Sequence, residues 1–88
     1  MDTEHKLQCF GVIKVIFGDA IHRDSVYVSK TMTIRKFLQY NPIPHNQFDG
    51  VLTLNGVIIH ENEFDKAFQK FGIKDRCYLL VTNKALNV

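Results

Sequence analysis

The chain has 88 residues, 45% of them hydrophobic, with seven Phe, three Tyr and no Trp. That is enough apolar bulk for one core, which argues against disorder except at the ends and, at this length, buries roughly 60–65% of the unfolded surface in a single domain. A formal charge of +2 is too small to imply a polyanion partner by itself, and the apolar runs fall far short of the ~20 residues of a membrane span.

The opening "MDTEHKLQ" is polar and mixed in sign, without the charged-then-apolar order of a signal segment. Residues 1–10 are expected to be a flexible extension, and the protein to be soluble and cytoplasmic. "GVIKVIF", residues 11–17, is β-branched and reads as a strand, with Ile13, Val15 and Phe17 on one face. Its other face, Val12, Lys14 and Ile16, is only half polar, which predicts a central position in the sheet. "GDA" at 18–20 is a turn in which Gly18 can take positive φ. "HRDSVYVSK" then alternates, with Val26 and Val28 on one face and Ser25, Tyr27 and Ser29 on the other. This is the second strand of a hairpin.

"TMTIRKFLQYNPIPH", residues 31–45, begins with Thr31 or Thr33 as an N-cap and places Ile34, Phe37 and Leu38 at i, i+3, i+4. Pro42 and Pro44 stop the helix after about two turns, too few for stability in isolation, so it must lie on a sheet. In "VLTLNGVIIHE", residues 51–61, two strand-like runs flank Asn55-Gly56, the preferred pair of a type I′ hairpin. "ENEFDKAFQKFG", 61–72, places Phe64, Ala67, Phe68 and Phe71 on one helical stripe, with Asn62 as cap and Gly72 as stop. A second helix is therefore expected there. "RCYLLVTN", 76–83, is the last strand, and 84–88 a flexible tail. Two cysteines far apart, Cys9 and Cys77, are expected to be reduced, with Cys77 buried in its strand.

The order ββαββαβ predicts an α+β layer in which the last strand lies beside the first, parallel to it, mid-sheet. The segments "VIKVIFGDA", "VYVSKTMTIRKFL", "NPIPHNQ", "VLTLNGVII" and "FGIKDRCYLLV" then resemble the ubiquitin-like β-grasp superfamily over about residues 11–83. Thr33-Ile34, Ile43-Pro44, Gly56, Ile73 and Leu79-Leu80-Val81 match its helix start, its proline loop, its second hairpin, the Gly-Ile end of its helical turn and its final strand. The resemblance implies a ubiquitin-like β-grasp, a mixed sheet with one short crossing helix and a second helix before the last strand. Three departures bear on function. The chain ends Ala85-Leu86-Asn87-Val88 without the Gly-Gly that a conjugated modifier or sulfur carrier needs, so those roles are expected only of an excised precursor. The positions matching ubiquitin's aliphatic patch are Thr53, Leu80 and Thr82, of which only Leu80 is apolar. The Phe-rich stretch before the last strand promises a longer helix than ubiquitin has.

No zinc spacing, phosphate loop or dinucleotide fingerprint occurs, and neither His22 near Asp24 nor His60-Glu61 forms a catalytic motif. No enzyme activity, cofactor or metal is expected. The leading expectation is a non-catalytic protein-interaction module, an adaptor or a small subunit of a larger assembly. Its partner would meet Tyr27, Thr53, Tyr78, Leu80 and Thr82 on the outer sheet face. The alternative is a basic β-grasp nucleic-acid factor using an edge of Lys30, Arg35 and Lys36, with Lys14 and Arg23 near it. The second strand and the short strand after Gly56 would be edges, open to a partner's strand or to a homodimer.

Overall fold

Alternation of apolar residues in the β-branched runs sets a five-stranded sheet with a single helix across it. A computed structural model of the chain describes residues 11–19, 21–42 and 50–83. The strands are β1 (Val12–Gly18), β2 (Arg23–Ser29), β3 (Gly50–Leu54), β4 (Val57–Ile59) and β5 (Arg76–Asn83), and the helix is α1 (Ile34–Tyr40). The spatial order is β2-β1-β5-β3-β4. β5 runs parallel to β1 and antiparallel to β3, so the last strand is central and joins the two hairpins, as the order of the elements predicted. The expected extensions 1–10 and 84–88, Cys9 and the Ile43-Pro44 loop lie outside the described residues.

The register places one set of side chains against α1. Val15 pairs with Val26 on one side and Cys77 on the other, and Leu79 stands between Phe17 and Leu54. Ile13, Val15, Ile34, Phe37, Phe68, Cys77 and Leu79 are fully buried. Phe37 meets Phe17 and Phe68 edge to face, with centroids 5.2 and 5.6 Å away, a favourable arrangement of ring quadrupoles. The helix is capped by Thr33, whose hydroxyl accepts a bond from the Lys36 amide at 3.1 Å. It closes at Asn41, whose amide donates to the Phe37 carbonyl.

Two glycines and one asparagine set the hairpins. Gly18 has φ +139°, and a β-carbon there would fall 2.1 Å from the His22 carbonyl oxygen, so no larger residue fits without moving backbone. Asn55 and Gly56 both have positive φ, 53° and 85°, and Leu54 pairs directly with Val57. This is the predicted I′ turn.

The segment 61–72 departs from expectation. Instead of an α-helix it forms two 3₁₀ turns, Glu61–Glu63 and Phe68–Phe71, separated by Ala67 in an extended conformation (φ −74°, ψ 157°). The reason lies in α1. The first amides of a helix have no partner within it, and here Ile34 donates to the Lys66 carbonyl and Arg35 to that of Phe64. Phe68 and Gln69 donate in turn to Met32 and Lys30. Bonding across to residues 30–35 takes the carbonyls that a continuous helix would use. The apolar stripe survives, since Phe64 and Phe68 are still buried. Asn62 does not cap the first turn: the His60 amide donates to the Glu63 carboxylate at 3.0 Å instead. Gly72 ends the second turn with φ +80°, as expected.

Candidate interaction surface

Because β-strand side chains alternate, burying one face of the sheet against α1 presents the other outward. The register aligns that open face in rows. Tyr27, Lys14 and Arg76 are neighbours in the first row, and Ser25, Ile16 and Tyr78 in the second. In the third, Gly18 leaves a gap beside Leu80, which is followed by Thr53 and Ile58. Thr82 pairs with Val51 beyond them. Ile16, Tyr78, Leu80 and Ile58 thus form an oblique apolar band drawn from three strands, with Thr53 of β3 between Leu80 and Ile58. Tyr78 is 39% exposed and Ile58 47% exposed, while Ile16 and Leu80 are half-buried.

Of the five outer-face residues predicted to bind a partner, Tyr27 (44% exposed), Tyr78 and Leu80 offer side chains on this face. Thr53 does not. It is only 8% exposed and its hydroxyl donates to the Leu80 carbonyl at 3.0 Å, so it braces β3 against β5. Thr82 is half-buried, and its hydroxyl oxygen is buried without a hydrogen-bond partner. Sequence reasoning passed over Ile16 and Ile58, whose place became visible only with the register, and over Asn55. The Asn55 side-chain oxygen accepts the Tyr78 amide at 2.8 Å and its own amide donates to the Tyr78 carbonyl at 2.8 Å. The turn of one hairpin therefore holds the backbone that carries the aromatic side chain of the band.

Of the predicted basic edge, Arg35 is held in an ion pair, while Lys30 and Lys36 are exposed. Arg35 donates from Nε to Asp65 at 2.7 Å and lies over the Phe64 ring, 5.8 Å from its centroid. The Asp65 carboxylate raises the Arg35 pKa further above its ordinary value. Lys30 lies along the Gly11 backbone: a β-carbon at Gly11 would sit 3.3 Å from its Cε. Lys36 is exposed on α1.

The two sheet edges differ. On β2 the Ser25 amide is bonded to the Asp24 carboxylate at 2.8 Å, and the Ser29 carbonyl accepts the Met32 amide. Local partners thus occupy groups that would otherwise face an incoming strand. On β4, Leu54–Val57 closes a two-residue turn, which makes Thr53–Ile58 the pair that does not exchange backbone bonds. The Ile58 amide and carbonyl consequently point outward, beside a Val57 side chain that is 68% exposed.

Candidate reactive groups are either buried or dispersed. Cys77 is a fully buried free thiol whose pKa burial pushes up to about 12. In the β1–β2 loop the Asp19 carboxylate accepts the amides of His22 (2.6 Å) and Ile21 (2.8 Å), which hold its pKa below the ordinary value. Among the described residues no three His, Cys, Asp or Glu side chains converge as metal ligands, and no helix is long and apolar enough to cross a membrane.

No protein-family model and no curated protein matches the chain. Solved structures do. A ubiquitin-like domain of an Arabidopsis thaliana protein superposes with a TM-score of 0.61 at 16% identity, over 88% of this chain and 82% of that one. A ubiquitin-like protein from Trypanosoma brucei superposes with a TM-score of 0.57 at 17% identity, over 83% of this chain and 95% of that one.

Proposed function

We propose that this chain, which has the ubiquitin-like β-grasp fold, works as a non-catalytic protein-interaction module that presents its open sheet face to another protein. The observation that carries the reading is the band Ile16–Tyr78–Leu80–Ile58. It lies on the face opposite α1, with an exposed Tyr at its centre. Tyr suits such a surface because its ring can be covered while its hydroxyl stays wet. The band shares only Leu80 with the positions that match ubiquitin's aliphatic patch, where this chain otherwise has the buried Thr53 and the half-buried Thr82, so a partner that reads that patch would find little apolar surface. The non-catalytic part of the reading draws on Cys77, which as a buried neutral thiol is a poor nucleophile.

The test is partner capture with a Tyr78→Ala, Leu80→Asp double variant, using the native host as the source of partner and circular dichroism as the check on folding. Capture should be lost while the fold is kept. Unaltered capture by a folded variant removes this face from consideration. A second reading, self-association, is favoured by the outward Ile58 backbone and exposed Val57 on β4. Sedimentation equilibrium that fits a monomer at high protein concentration removes it.

A further inference from the structure

Two cations stand at paired positions on the open face. Lys14 and Arg76 are direct partners across the parallel β1–β5 pair, which sets their backbones about 4.8 Å apart. Like charges opposed across a ladder are destabilising. The ion pairs among the described residues are His22–Asp19, Arg35–Asp65 and Lys66–Glu63, and neither cation belongs to one of them. Arg23 adds a third cation on the same face, its Nε donating to the Asp19 carbonyl at 3.2 Å. No open-face position of the five strands is Asp or Glu. Asp24 falls on the opposite strand parity and its carboxylate accepts the Ser25 amide, yet it lines one shallow depression with Lys14, Ile16 and Arg23. Tyr27 stands opposite Lys14, and the Ile16–Tyr78 row begins immediately beside the cation pair.

We propose that this surface receives an acidic segment of a protein partner, with a carboxylate between Lys14 and Arg76 and an apolar side chain over Ile16 and Tyr78. The inference rests on the interaction-module reading and names the chemistry of the partner. A carboxylate placed there relieves the repulsion between the two cations and makes charge-assisted bonds to both. A nucleic-acid strand is the poorer fit. Single-stranded binders track many phosphates along a cationic groove and stack successive bases on aromatic rings, whereas here the cations give way to aliphatic Ile16, Leu80 and Ile58.

The probe is a fluorescein-labelled peptide with a central Leu-Phe pair between runs of Glu. Its controls are the same peptide with Glu replaced by Gln and a single-stranded oligonucleotide. Anisotropy gives affinity, and backbone amide shifts of the protein locate the contact. The acidic peptide is expected to bind about fivefold more tightly than the Gln peptide, the factor that an exposed ion pair reaches at its upper end. It should shift Lys14, Arg76 and Tyr78 and weaken as salt rises. Lys14→Gln, Arg76→Gln should abolish the preference while leaving the spectrum of a folded protein. Each single Gln variant should also melt at a higher temperature than the parent, with no ligand present. Equal binding of both peptides, tighter binding of the oligonucleotide at Lys14 and Arg76, or single variants that melt no higher would each overturn the inference. All three outcomes leave the interaction-module reading intact, because that reading fails only if Tyr78→Ala, Leu80→Asp leaves native partner capture unchanged.

Discussion

Asn55 performs two tasks that substitution can separate. It holds a left-handed backbone, φ 53°, at the first turn position, and its side chain accepts the Tyr78 amide at 2.8 Å. Asn55→Gly keeps the backbone conformation and the bond from residue 55 to the Tyr78 carbonyl, and deletes the side-chain acceptor together with a β-carbon that this φ does not favour. The hydrogen-bond part of its cost is about 0.5–1.5 kcal/mol, at the lower end because water reaches this exposed turn. Asn55→Ala deletes the same acceptor and leaves the β-carbon in the left-handed region without the polar side chain that lets Asn tolerate it, a further cost of up to ~1–2 kcal/mol. Asn55→Asp keeps the acceptor and should stay near the parent. The stability order is therefore Asn ≈ Asp > Gly > Ala, with Ala up to about 3 kcal/mol below the parent. Urea unfolding followed by circular dichroism resolves these steps, and in a domain this size each kcal/mol moves the melting temperature by roughly 4–8 °C. If Gly and Ala lose equally, left-handed strain is not what selects Asn. If Gly matches the parent, the bond to Tyr78 does no more than offset the strain of the β-carbon, and the turn does not hold the backbone of the band.

Three further outcomes follow from the core and the first loop. Phe37→Ala removes a fully buried ring that touches Phe17 and Phe68, and should lower stability by about 3–5 kcal/mol in urea titration; a loss under 1 kcal/mol would mean α1 does not seal the core. Cys77, fully buried with its pKa near 12, should be alkylated by iodoacetamide at mildly alkaline pH only as fast as the domain unfolds, and rapid labelling of the native protein would contradict its placement. The Asp19 carboxyl, held below its ordinary 3.8 by the His22 and Ile21 amides, stabilises the fold fully above that value, and the contribution fades as pH falls through the lower folded value. Thermal melts across acid pH should therefore show a shallower decline for Asp19→Ala than for the parent, and parallel curves would reject the assignment.

Where structure follows from contacts between near neighbours in the chain, the amino-acid order was sufficient. Alternation placed Ile13, Val15, Cys77 and Leu79 on one face. The i, i+3 spacing of Ile34 and Phe37 with Thr33 before it specified α1, and Asn55-Gly56 specified the I′ turn. These features depend on strand and helix periods, on capping and on the φ a residue tolerates, all of which act within a few residues. The ubiquitin-like β-grasp arrangement was legible for the same reason, since the ordered elements left the final strand a place beside the first. What depended on distant partners was not legible. Residues 61–72 carry a helical stripe, yet the unpartnered amides of Ile34 and Arg35 draw the carbonyls of Lys66 and Phe64 away from helix bonding. Thr53 has the parity of an outward residue, but its neighbours across the sheet bury it. Lys14 and Arg76 are remote in sequence and become a pair only because β5 enters the sheet parallel to β1. Parity along a strand is local information, whereas the identity of the facing residue belongs to the register, and that was decided by packing of the whole sheet against α1 and the 3₁₀ turns.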